Sequence, residues 1–327
     1  MDDQNDLMSI FYLTVCKRFN QEVDNYLANH PVIFDADCFD ETFWDNTPAI
    51  TIPLEKLLSK CPKLTRLCTC IFDSELSDEI YNIPEMTYLT ELTIDIVQIK
   101  ANHAQLETLF KKCPNVIKLY LKQFEEFESS TFDFNCLGDK VTELHFSGVT
   151  PQTFKDLMNT KTFNLDLLSL RSHQVYRQND LKDMLLKVNE KYPELKNFEL
   201  IIWELWGPVN VLPKMPSLES LLLLFDEGDI SYDSVKDMLQ SMPKLRSLDF
   251  TAFDCPKIDQ LIELCVQYCP KIERLLNRNI GSPNYVTERG LEFWKKLPHL
   301  KTVNEKTVEE WQTYEPEKDE IESLSDN

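Results

Sequence analysis

One phrase comes back along this chain at nearly constant spacing. It reads SKCPKLTRL near residue 60 and returns as KKCPNVIKLYL, EKYPELKNFEL, PKMPSLESLLL, QSMPKLRSLDF, QYCPKIERLL and KKLPHLKTV. Weaker copies read MTYLTELTI, GDKVTELHF and FNLDLLSL. The apolar anchor of each copy falls at Leu64, Leu89, Val116, Val141, Leu165, Leu195, Leu218, Leu245, Ile272 and Leu300, so successive gaps are 25, 27, 25, 24, 30, 23, 27, 27 and 28 residues. No other feature constrains the fold so strongly. A unit of this size cannot bury an apolar face alone, and burial follows only from stacking on the next unit.

Within a unit the apolar period changes. From the anchor the pattern is L-x-x-L-x-L, as in Leu195, Phe198, Leu200 or Leu245, Leu248, Phe250. Its last two positions alternate with variable residues, the period of a half-buried strand. Ahead of the anchor, Leu57 and Leu58 precede Cys61, Met238 and Leu239 precede Met242, and Phe293 and Trp294 precede Leu297. These spacings mark one face of a helix. Seven of the ten units then place Pro directly afterwards, which ends the helix and hands over to the strand.

Helix, proline stop and short strand, recurring in phase, resemble a leucine-rich-repeat array from about Thr51 to Asn304. The repeat length is similar to the ribonuclease-inhibitor class, which is also the class used in F-box/leucine-rich-repeat proteins. The resemblance implies an α/β solenoid, a horseshoe with parallel concave strands and convex helices, of about ten repeats of about 26 residues. Such repeats usually carry Asn or Cys eight residues after the anchor. Here that slot holds Phe72, Val97, Phe124, Val149, Trp203, Phe253, Ile280 and Val308, with only His173 and Asp226 polar. The expectation is a turn held by apolar stacking, with Trp203 in the core and Trp206 left open.

The ten cysteines fit the same pattern. Cys61, Cys113 and Cys269 occupy the slot that elsewhere holds Tyr192, Met215, Met242 and Leu297, and buried Cys packs as a small hydrophobe. Cys68 and Cys70 have the spacing of neighbours on one strand face, and no His or second Cys pair stands close enough to complete a metal site. The chain has no Asn-x-Ser/Thr acceptor and no basic n-region at its start, which favours a reducing cytoplasmic or nuclear location. No apolar run is long enough to span a bilayer. A net charge of −21 argues against nucleic-acid backbones and anionic membranes alike.

Catalysis finds no foothold. The five histidines, His30, His103, His145, His173 and His299, fall in different units, and with only six glycines there is no loop to cradle a phosphate. No Ser or Cys stands in a nucleophile-elbow context. The expectation is a binding protein with no catalytic residues, no cofactor and no metal.

Strand residues between the buried ones must face outward. By phase, two features stand out against the acidic background. Lys118, Tyr120 and Lys122, with His145 nearby and Arg171 further on, form a basic aromatic spot. Ile201, Leu222 and Leu224 form an apolar patch. Two readings of that patch stand side by side: an interface, or excess packing in the run Leu221–Leu224 covered by the loop at Trp206-Gly207-Pro208. Together these eight residues are the candidate partner-binding set.

The ends divide the chain into an N-terminal helical segment at 1–50, the repeat domain at 51–304 and an acidic tail at 305–327, disordered past Tyr314, with Trp311 folding back over the last repeat. At the start, Leu7, Phe11, Val15, Phe19, Val23 and Leu27 make a helical stripe. Val15-Cys16-Lys17-Arg18-Phe19 resembles the closing half of an F-box, and Leu7, Ile10, Phe11, Tyr12 and Leu13 echo its middle, although the L-P-x-E opening and the spacer between the halves are missing. That resemblance implies a substrate-binding subunit of a cullin–RING (SCF-type) ubiquitin ligase. Its adaptor-facing residues would lie among Ile10, Phe11, Leu13, Val15, Cys16 and Phe19, and the repeats would capture a protein substrate. The alternative is a repeat scaffold or inhibitor with no ubiquitin-ligase link, its N-terminal helix acting only as a cap.

Overall fold

A computed structural model describes residues 26–30, 32–34, 54–69, 76–95, 102–122, 133–206, 209, 212–254, 256–279 and 285–313. The six residues assigned by resemblance to adaptor docking, Ile10 to Phe19, lie outside that set, as do the tail beyond Thr313 and Cys70.

The anchors behave as the period requires. All ten are buried, from Leu64 and Leu89 at 0% exposure to Leu300 at 7%. Three residues on, Leu67, Leu92, Leu119, Leu144, Leu168, Phe198, Leu221, Leu248, Leu275 and Val303 are buried as well. Ahead of nine of the ten anchors, all but Leu165, the chain makes a β-turn: the anchor N–H donates to the carbonyl of the residue three before it, as in Leu64 to Cys61 (3.1 Å), Leu195 to Tyr192 (3.1 Å) and Ile272 to Cys269 (3.0 Å). Pro62, Pro193 and Pro270 then occupy the second position of their turns, where a fixed φ near −65° is already the one needed. Proline therefore does two jobs: it stops the helix and builds the turn into the strand.

The chain divides into two compact units, one running to Gly148 and including Asn159–Asn164, the other formed by Val149–Met158 and the residues from Leu165 onward. In the first, β1 (Val32–Phe34), β2 (Leu64–Cys68), β3 (Glu91–Asp95), β4 (Lys118–Lys122) and β5 (Glu143–Ser147) pair in parallel in chain order. Helices α1 (Leu54–Lys60) and α2 (His103–Lys112) and two 3₁₀ turns connect them. A helical turn at 26–29 with Leu27 buried precedes β1.

In the second unit, β6 (Leu167–Arg177), β7 (Asn197–Trp206), β8 (Ser220–Asp229), β9 (Ser247–Asp254), β10 (Arg274–Asn279) and β11 (Thr302–Val303) also pair in parallel in chain order. Helices α3 (Pro151–Met158), α4 (Gln178–Lys191), α5 (Tyr232–Gln240), α6 (Ile258–Tyr268), α7 (Glu288–Trp294) and α8 (Val308–Gln312) accompany them. Each unit is thus an α/β leucine-rich-repeat stack. At its end α8 buries Trp311, whose indole N–H donates to the Val303 carbonyl at 2.8 Å and closes the apolar flank of the last repeat.

Two expectations need correction. Strands β6 to β9 run eight to eleven residues, through the slot expected to be a turn. Without an Asn or Cys to turn the backbone, β-favouring residues such as Ile201, Ile202 and Trp203 continue the ladder. Trp203 therefore keeps the strand alternation and emerges at 39% exposure instead of entering the core. The second correction concerns the cysteines. Cys61, Cys113, Cys265 and Cys269 are buried, but Cys68 is disulfide-bonded.

Some polar residues inside the core hydrogen-bond across neighbouring repeats. Thr69 Oγ1 accepts from the Asp95 N–H at 2.8 Å, and the Asn277 side chain donates to the Pro256 carbonyl at 3.1 Å. At the leading edge of the second unit, Asp166, Lys196, Glu219, Arg246, Glu273 and Lys301 alternate in sign from repeat to repeat. They pair as Lys196–Asp166 (2.6 Å), Arg246–Glu219 (3.5 Å), Arg246–Glu273 (2.9 Å) and Lys301–Glu273 (2.5 Å). A slip in the stacking order would set like charges side by side, so this row helps to fix the order of the repeats.

Candidate binding faces on the strands

Of the candidate partner-binding residues, Lys118, Tyr120, Lys122 and His145 lie on the first unit and Arg171, Ile201, Leu222 and Leu224 on the second. The strand period that positions them is the same throughout: core residues at odd steps, candidates at even ones.

On the first unit the ladder sets Arg66, Glu91, Lys118 and Glu143 in one row across β2 to β5. Arg66 pairs with Glu91 at 3.1 Å and Lys118 with Glu143 at 2.8 Å. The hydrogen bond to Glu143 holds the Lys118 ammonium above its ordinary pKa. The expected basic spot is therefore a row of alternating charge, because each cation has a carboxylate on the adjacent strand. One step along, Tyr120 and His145 are in register and stack with ring centroids 4.1 Å apart and planes 11° apart. Partial burial, reinforced by the charge of Glu91, raises the Tyr120 phenol pKa. Both rings remain half-buried, and they form the aromatic centre of this face.

On the second unit three outward rows follow from the register of β6 to β9: Leu167, Asn197, Ser220, Ser247; then Ser169, Glu199, Leu222, Asp249; then Arg171, Ile201, Leu224, Thr251. Glu199 accepts from Ser169 Oγ at 2.8 Å and lies 3.9 Å from Arg171. Leu222 and Leu224 are half-buried on the outward side, while Leu221 and Leu223 are fully buried beneath them. Ile201 is 8% exposed, a correction to its expected place on the open surface. It sits in register between Arg171 and Leu224, and strands about 4.8 Å apart let longer neighbours cover a shorter side chain. The same crowding buries Thr93, Ser169, Thr251 and Leu276.

Beyond Ile201 the alternation continues to Trp203, which stacks on His173 with centroids 5.7 Å and planes 4° apart. The sequence held the signal, since Asn197, Glu199, Ile201 and Trp203 alternate with buried Phe198, Leu200 and Ile202. Assigning the eighth slot to a turn hid it. The other described indoles are used internally: Trp294 is 4% exposed and donates to the Leu300 carbonyl at 2.9 Å, and Trp311 is likewise buried and bonded.

Among the described residues no group of three His, Cys, Asp or Glu is placed to hold a metal ion, and no helix is long and apolar enough to cross a membrane. The geometry offers two strand faces of aromatic, apolar and paired charged side chains. Their chemistry is that of contact: burial, stacking and ion pairing.

No family model matches this chain, and no curated protein matches it. Among solved structures it is similar to the leucine-rich repeat-containing protein LegL7 from Legionella pneumophila, with 16% identity, a TM-score of 0.40 and coverage of 84% of this chain and 80% of that one. It is also similar to a chain of the yeast Rad7 and Elc1 complex, with 15% identity, a TM-score of 0.37 and coverage of 93% and 86%.

Proposed function

We propose that the protein is a non-catalytic recognition module that captures a protein partner on the outward faces of its strands. One observation carries the reading: both units hold register-fixed rows in which aromatic and leucine side chains stay half-exposed among ion pairs. Examples are Tyr120 with His145 and Leu222 with Leu224. Interfaces are enriched in aromatic residues and Arg, and the affinity-determining residues cluster where such groups meet. The test is partner capture with full-length protein, comparing the native chain with Lys118→Glu, Tyr120→Ala, Arg171→Glu and Leu222→Ser. A control, Leu186→Ser, alters an exposed residue of α4. Loss in the strand-face variants with retention in the control is expected. Retention in all of them would end the reading.

The finer part of the proposal is that the captured protein is a substrate delivered to a cullin–RING ligase. Its support is the resemblance of residues 7–19 to an F-box, placed ahead of the repeats. Co-purification with the ligase adaptor, with and without residues 1–30, tests it. Adaptor in the full-length sample alone is the expected result, and adaptor in neither sample leaves the scaffold reading.

A further inference from the structure

The helices of the second unit hold a feature that the strand faces do not use. The gap from Leu165 to Leu195, at 30 residues, is the longest between neighbouring anchors. Its surplus goes into α4, which has 14 residues where α3 beside it has eight. At a rise of about 1.5 Å per residue, α4 is about 21 Å long and α3 about 12 Å. The two are nevertheless tied near both ends. Tyr176, just ahead of α4, donates its hydroxyl to the carbonyl of Val149, just ahead of α3, at 2.9 Å. At the far end Lys191 Nζ donates to the Leu157 and Met158 carbonyls at 2.8 and 3.0 Å. Helices of unequal length fastened at both ends do not lie flush, and a cavity of about 550 Å³ opens between them.

Its floor is apolar and its walls are charged. Phe154, Tyr176 and Met184 are buried at the base. Lys155 stands on the α3 side, and Asp180, Asp183 and Lys187 on the α4 side, all four exposed. The neighbouring polar groups are already engaged: Gln152 donates to Asp156 at 2.8 Å, and the Thr150 and Thr153 hydroxyls share a bond at 2.9 Å. Among the described residues none of the four charged side chains is in an ion pair, although Asp183 and Lys187 are one helical turn apart. The lining is neutral in sum and holds both signs apart. A ligand of one sign would be repelled by half of it, whereas a ligand with both satisfies the whole. The volume is that of a small-molecule site.

We propose that this cleft binds a small zwitterion with an apolar body, of the size and kind of a free dipeptide. Its ammonium pairs with Asp180 and Asp183, its carboxylate with Lys155 on the opposite wall, and its side chains rest on the floor. Two residues of extended chain set the two charges about 7 Å apart, a reach suited to opposite walls of an interhelical cleft. None of the four charged residues lies on a strand, so this site is separate from the capture of a protein partner proposed above.

The experiment is isothermal titration of the full chain with leucyl-phenylalanine, its N-acetyl form, its C-terminal amide and seryl-glycine. The free leucyl-phenylalanine is expected to bind saturably, each capped form at least about threefold more weakly and seryl-glycine at least about tenfold more weakly. Asp183→Asn should weaken the free dipeptide at least about threefold and leave the acetylated form unchanged. Lys155→Gln should do the same for the free dipeptide against the amide. Leu186→Ser and Leu222→Ser should change nothing, and circular dichroism would confirm that every variant is folded. Equal binding of a capped form or of seryl-glycine, or no saturation by about 10 mM, would overturn the proposal. So would equal weakening of the free and acetylated forms by Asp183→Asn, which marks a structural effect alone. Loss of dipeptide binding in Leu222→Ser would place the ligand on the strand face and overturn it as well. Partner capture that fails while the dipeptide still binds would count against the recognition reading alone.

Discussion

Truncating Leu221 and, separately, its neighbour Leu222 to alanine tests the alternation on which every assignment above depends. Leu221 is 0% exposed in β8 and lies in register between Phe198 and Leu248, both also fully buried. Alanine removes three buried carbon groups, worth about 0.8 kcal/mol each by transfer, and the cavity left behind adds to that. We expect about 3 kcal/mol of destabilisation. Leu222 points the other way and is half-buried against its neighbours, so its truncation should cost less than about 1 kcal/mol. The assay is urea unfolding followed by circular dichroism. With a slope of about 3 kcal/mol/M, Leu221→Ala should lower the midpoint by about 1 M and Leu222→Ala by less than about 0.3 M. Partner capture should show the opposite order. Equal destabilisation by the two variants, or the reverse order, would place the strand in the wrong phase and undo the face assignments.

Three further outcomes follow from particular contacts. Hydrogen bonds from Lys301 and then Arg246 hold the Glu273 carboxyl below its ordinary pKa. Its contribution is therefore complete above the usual carboxylate range and fades as pH falls through the lowered value. Glu273→Gln and the native chain should differ in unfolding midpoint at neutral pH and converge in acid, while Glu273→Lys, which lines up three cations, should recover stability with added salt. At Gly290 in α7 an added Cβ would meet the Asp259 carboxylate and come within 2.8 Å of Val286 Cγ1. Asp259 accepts from Thr287 N–H at 3.1 Å and from its hydroxyl, so Gly290→Ala should cost about 1–2 kcal/mol, and less in an Asp259→Ala background. Tyr176, 2% exposed, donates to the Val149 carbonyl at 2.9 Å, and Tyr176→Phe should cost about 1 kcal/mol by thermal unfolding because Ser172 still serves that carbonyl.

The repeat period was enough to read the fold. Leu64 to Leu300 could be found because burial in a stacked solenoid imposes a local pattern, and local patterns survive in a single sequence. What escaped reading depends on register between repeats. The pairing of Lys118 with Glu143 turned an apparent basic spot into an alternating row, and the sign alternation from Asp166 to Lys301 became visible only once their strands lay side by side. Strand β1 at Val32–Phe34 escaped because three residues carry no period. Trp203 was misplaced by importing the usual turn into repeats that lack its polar residue, where continued β-pairing is the cheaper way to satisfy the backbone. Cys68 followed the packing pattern and gave no sign of its disulfide, since bonded and free cysteines occupy the same apolar slots.

We propose that the protein partner binds on the strand faces and not on the helices. A photo-crosslinking residue placed in turn at Tyr120, at Leu222 and at the exposed Leu186 of α4 in the full-length chain tests it most directly. Adducts with the captured partner from the first two positions, and none from Leu186, are the predicted result. Adducts from Leu186 with none from Tyr120 or Leu222 would contradict it.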